Sequence, residues 1–169
     1  MPSKYLFLCL MPSLCFANMS AEAEYGVSVL DAQYNLAEAK VDICKQHETK
    51  AQFTQAEKDA LKVIPKEHSI AVAYLAKQAW EVCMQPELSE VAASLLVLQE
   101  LNEKEQSQQL AVKINAVRNI LFGGGKLVKE MQYNALPAET KKILNSISTF
   151  QQPFDAIALF EDVWGAPSY

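Results

Sequence analysis

The sequence predicts an all-α protein, a single-domain irregular helical bundle of about six to seven helices with one disulfide, and three observations lead there. Apolar residues recur at steps of three and four along most of the chain. No useful stretch alternates apolar and polar with period two, and no Asn-Gly or Asp-Gly turn separates apolar runs. Backbone punctuation is sparse, with 5 Gly and 7 Pro in 169 residues. Half of the residues are hydrophobic and 21% are charged, which suits one core of ordinary size rather than two. There is no internal repeat, low-complexity tract or interdomain linker.

The first helix is expected from Ser28 to about Lys50, where Leu30, Tyr34, Ala37, Val41 and Cys44 share one face. Thr54-Gln-Ala-Glu57 has the form of a capping box, so a short second helix follows from Gln55 to Val63. Pro65 ends it and suits the first turn of a third, which carries Ile70, Ala73, Tyr74, Lys77, Trp80 and Cys83 before Pro86. Pro86-Glu87 opens a fourth with the stripe Leu88, Val91, Leu95, Leu98 and Leu101. Residues 102–109 read as a loop or as an exposed stretch of one very long helix. Leu110, Ile114, Val117 and Leu121 define a fifth that stops at Gly123, Gly124 and Gly125, a candidate hinge. A short helix from Lys126 to Tyr133, one opening at Pro137 with Leu144 and Ile147 turned inward, and a last one after Pro153 complete the chain.

Residues 1–23 have the three parts of a secretory signal: Lys4, an apolar run from Tyr5 to Phe16, and small residues for cleavage after Ala17 or Ala23, the latter completing Ala21-Glu22-Ala23. The run is shorter than the roughly 20 residues of a membrane span and contains Pro12. Leu8 and Leu14 stand before Cys9 and Cys15, where lipid attachment needs a small residue. The expected mature unit is 24–169, secreted or periplasmic. It keeps Cys44 and Cys83, which an oxidising compartment should join. A path of helix one up, helix two back and helix three up again brings both cysteines to one end.

With a net charge of -5 and Arg118 the lone arginine among 15 basic residues, the chain lacks the clustered cations that bind phosphate backbones, so nucleic acid is excluded as a partner. Glu81, Glu87, Glu90, Glu100, Glu103 and Glu105 are accompanied by Lys104 alone and form a candidate acidic docking face. His47 lies near Cys44 and Glu48, but a closed zinc site needs four ligands, and no metal or cofactor is expected. Gly123-Gly-Gly-Lys126 lacks the spacing and the Ser or Thr of a phosphate loop. With His47 and His68 the only imidazoles and no nucleophile-elbow or His-Glu-x-x-His sequence, an enzyme is the third-ranked expectation.

The first-ranked expectation is an exported helical binding protein that acts stoichiometrically on another exported protein, as inhibitors, immunity proteins and chaperones do. Its candidate contact residues are Glu87, Glu90 and Glu100 and the aromatic end around Phe160 and Trp164, which equally reads as a core lid. The alternative is a carrier of a small apolar ligand or lipid, held between helices beside the leucine-rich fourth helix.

Overall fold

The computed structural model describes residues 19–122 and 125–165. Among them are eight α-helices, two 3-10 turns and no strand. The helices are α1 (Ala21–Lys50), α2 (Gln55–Lys62), α3 (Ile70–Cys83), α4 (Glu87–Glu105), α5 (Gln108–Phe122), α6 (Lys126–Asn134), α7 (Ala138–Ser146) and α8 (Ala156–Trp164), with 3-10 turns at Lys66–His68 and Ser148–Gln151. The all-α expectation holds, and the eight helices correspond to those read in order along the sequence, one above the overall count of about six to seven.

α1 begins two turns earlier than its apolar spacing indicates. Ser20 is its N-cap, accepting from the Ala23 amide at 3.1 Å, and Glu22 and Glu24 in the first turn favour the positive end of the helix dipole. Ala23, Leu30, Ala37 and Cys44 recur every seven residues and are all buried, so α1 carries a coiled-coil-like seam along about 30 Å. α4 packs antiparallel on that seam: Gly26 meets Leu98, Gln33 accepts from Ser94, and Lys40 faces Glu87 at 3.9 Å. The polar stretch after Leu101 resolves into a tight reversal. α4 continues to Glu105, Gln106 adopts the left-handed conformation (φ 56), and the hydroxyl oxygen of buried Ser107 accepts from the Leu110 amide at 3.3 Å to start α5. α5 returns along the pair, with Leu110, Ile114 and Val117 closing the bundle core.

A second core gathers α2, α3, α7, α8 and the Ser148–Gln151 turn around Phe154, which is 1% exposed. Phe53 sets its ring edge-on to Phe150 and Phe154 at 5.4 Å each, and α6 lies on α3 through Tyr133 stacked on Tyr74 at 4.8 Å. α3 belongs to both cores: Ala71–Ala76 face the aromatic one, while Trp80 and Cys83 reach the bundle.

Cys44 and Cys83 form the expected disulfide, with Cα atoms 5.9 Å apart. Behind it, α1 and α3 are not packed side by side along their lengths. α1 packs along α4 and touches α5, whereas α3 packs on α6 and α8, so the bond joins the flank of α1 to the end of α3 and links the two cores.

Glu57 closes the aromatic core from outside. The capping box is present, and the same carboxylate accepts from the Thr149 amide at 3.2 Å and from the Ser148 and Thr149 hydroxyls. Partial burial pushes its pKa up, but the hydrogen bonds from Thr54 and Thr149 outweigh this and lower it from 4.5 to about 2. A depressed folded-state pKa gives stability that is complete above the unfolded value and fades as pH falls toward 2. Solvent screening at this partly open carboxylate leaves a contribution of about 1–2 kcal/mol. Glu57→Gln is expected to lose that amount at neutral pH and to flatten the acid side of the stability profile between pH 4.5 and 2 in urea titrations. An unchanged profile would show that the carboxylate is not engaged.

Candidate functional site

The helical pairing that builds the bundle leaves one side of α1 and α4 uncovered. Asp31 meets Lys113 of α5 at 2.6 Å, which places α5 on one flank of α1. On the opposite flank Glu22, Tyr25, Gly26 and Val29 of α1 and Ala93, Ser94, Val97, Leu98 and Leu101 of α4 line a groove of about 370 Å³. Its floor is Leu98, whose methyl lies 2.6 Å from where a Cβ on Gly26 would sit, so the glycine is what lets the two helices approach. Its walls are apolar and open, with Tyr25 72% and Val97 66% exposed. Gly26→Val is expected to destabilise the fold by about 1–3 kcal/mol through overpacking against Leu98, measured by thermal unfolding. A neutral result would contradict the close approach.

The groove is acidic at one end. Ser20 hydrogen-bonds Glu105, and Lys104 bonds Glu100 at 3.0 Å. The Lys104 ammonium is held above the usual lysine range by that bond and charge pairing with Glu100, with Glu22 and Glu103 adding to it. Three carboxylates, Glu100, Glu22 and Glu103, therefore act on one ammonium here. The sequence-predicted acidic face is only partly brought together. Glu100, Glu103 and Glu105 gather with Glu22, but Glu87 and Glu90 lie in the first turn of α4, about 15–20 Å further along the axis. Glu87 is half-buried beside Lys40.

The aromatic end divides as well. Trp164 donates its indole N–H to the Ile64 carbonyl at 3.1 Å and packs against the aromatic core, which spends it on the fold. Phe160 lies 5.7 Å from Trp164, has the Lys66 ammonium 5.3 Å above its ring, and lines a second apolar depression of about 400 Å³ with Ile70, Val72, Ala73, Ala156 and Ile157.

His47 sits beside the disulfide, its Nδ1 3.9 Å from Cys83 Sγ, and no cluster of three or more His, Cys, Asp or Glu side chains able to hold a metal occurs among the described residues. Of the candidate hinge, Gly125 adopts the left-handed conformation (φ 67) ahead of α6, while Gly123 and Gly124 lie outside the described residues, as do residues 1–18 of the leader. Sequence reasoning missed Glu22, Tyr25, Gly26 and Val97. The period-seven seam through Ala23 was the available signal, and it was hidden by starting the helix at Ser28. Comparison with protein-family models, curated proteins and solved structures finds no match.

Proposed function

We propose that this chain is an exported binding protein that acts stoichiometrically on another exported protein, taking an apolar and basic helical segment of it in the α1–α4 groove. The observation that carries the reading is the open apolar groove itself, with Tyr25 and Val97 exposed on facing helices. An amphipathic helix lays its apolar side into such a groove, and the carboxylates of Glu22, Glu100 and Glu105 near its end favour a cationic rim on it.

A synthetic amphipathic helix of leucine and lysine tests this against a leucine and glutamate counterpart, by fluorescence anisotropy. The cationic peptide is expected to bind about tenfold more tightly than the anionic one. Tyr25→Glu with Val97→Glu is expected to remove that binding while leaving the unfolding temperature near wild type, because both side chains are exposed. Equal binding of the two peptides, or an unaffected double variant, would refute the groove.

Export rests on the charged and apolar leader and on the Cys44–Cys83 pair, a bond typical of oxidising compartments. Among the described residues no helix is long and apolar enough to cross a membrane. The start of α1 favours cleavage after Ala17: cleavage after Ala23 would remove the Ser20 cap and the fully buried Ala23. The mature protein is expected to begin at Asn18, read by N-terminal sequencing, and a start at Glu24 would contradict the assignment.

The α3–α8 depression supports a second reading, a carrier of a small apolar ligand held against Ile70, Ile157 and Phe160. Mass spectrometry of an organic extract, with Ile157→Glu as the comparison, separates this reading from the first.

A further inference from the structure

Between α4 and α5, on the other side of α4 from the groove, the tight reversal leaves a crevice of about 400 Å³. Its lining is polar. The five carboxamides of Gln99, Asn102, Gln106, Gln108 and Asn115 line it, and Arg118 of α5 stands at the end far from the reversal. Ala111 and Ile114 supply the apolar part of the wall, and no aromatic side chain lines it.

The polar groups here are held in place with bonding capacity to spare. Exposed Arg118 donates to Asn115 Oδ1 at 2.8 Å and makes no ion pair among the described residues, so most of its N–H donors stay open. The side-chain oxygen of Asn102 is buried and has no hydrogen-bond partner. An acceptor desolvated in this way weighs on the fold until a donor from outside the chain meets it. Glu103 of α4 lines the crevice nearer the reversal, while its neighbour Lys104 is turned to Glu100 at 3.0 Å. Since α5 carries no acidic residue, the crevice has its cation on the α5 wall and its anion on the α4 wall.

We propose that this crevice binds a short peptide by its free C-terminus. Arg118 pairs with the carboxylate, the Asn102 oxygen accepts from a main-chain N–H, and Glu103 receives the terminal ammonium. Gln99 and Gln108 pair with the peptide groups between, which a carboxamide matches with one donor and one acceptor. From Gln99 to Gln106 α4 rises about 10 Å, the reach of about three extended residues, so the ligand has the size of a tripeptide. An inorganic anion would engage Arg118 but leave Glu103 and the carboxamides unused. A sugar acid shares the carboxylate but would find no aromatic ring against which to lay its own. The crevice uses other residues than the lining of the α1–α4 groove and does not rest on the proposed function.

NMR titration of the isotope-labelled protein with tri-alanine tests the proposal. Amide signals of the α4–α5 crevice are expected to shift, with tri-alanine amide binding about tenfold more weakly and N-acetyl-tri-alanine severalfold more weakly. Arg118→Gln is expected to weaken tri-alanine about tenfold and to leave the binding of tri-alanine amide unchanged, a pattern that a merely structural role would not produce. Glu103→Gln should do the same for the pair of free and acetylated peptides. Both side chains are exposed, so unfolding temperatures stay near wild type. No shift in the crevice, equal binding of acid and amide, or wild-type binding by Arg118→Gln would overturn the proposal. Tighter binding of galacturonic acid than of tri-alanine would also overturn it, by assigning the crevice to a sugar acid.

Discussion

Phe154→Ala is expected to lower the unfolding free energy by about 3–5 kcal/mol, the largest effect of any single substitution considered. Phe154 is 1% exposed and meets both Phe53 and Phe150 ring to ring, so truncation removes two aromatic contacts along with the buried area. The surrounding elements are short and enter from several directions, α2, α3, α7 and α8 among them, and cannot collapse together into the space. Urea unfolding monitored by circular dichroism reads the loss. A cost below about 1 kcal/mol would mean that Phe154 does not occupy the core.

Breaking the disulfide should rank next. Cys44→Ser with Cys83→Ser, or reduction of the wild type, is expected to cost about 3–4 kcal/mol, since the bond closes a segment with a separation of 39 residues. The effect should be felt by both cores, because the bond ties α1 of the bundle to the end of α3, whose earlier residues belong to the aromatic core. Retained stability after reduction, measured by thermal unfolding, would contradict that linking role. Thiol titration of the unfolded, unreduced mature protein should find neither cysteine free.

Local chemistry made most helices legible in the sequence. The Thr54–Glu57 capping box, the prolines at 86 and 137, and the spacing of Leu110, Ile114, Val117 and Leu121 each fix an element by rules that act within a few residues. Pro65, expected in the first turn of the third helix, instead precedes the 3-10 turn Lys66–His68, and α3 begins only at Ile70. Gln106 was illegible because a left-handed turn residue is usually Gly or Asn. The disulfide was legible from counting cysteines, but the pairing of α1 with α4 was not, because it depends on contacts between Gly26 and Leu98 or Gln33 and Ser94, far apart in sequence. The groove shares that fate. Glu100 could be singled out as acidic, but only the antiparallel pairing sets Glu22 and Tyr25 on one side of the groove and Val97 on the other. Trp164, a candidate for recognition, was instead claimed by the Ile64 carbonyl.

The reading of this chain as a binding protein stands on the groove between α1 and α4, and site-specific photo-crosslinking probes it most directly. A photoreactive side chain at Val97 is expected to capture a discrete protein adduct in the exported fraction, lost when Tyr25→Glu is added, while the same group at Val63, equally exposed but remote from the groove, yields none. The same adduct from both positions, or none from Val97, would contradict the account.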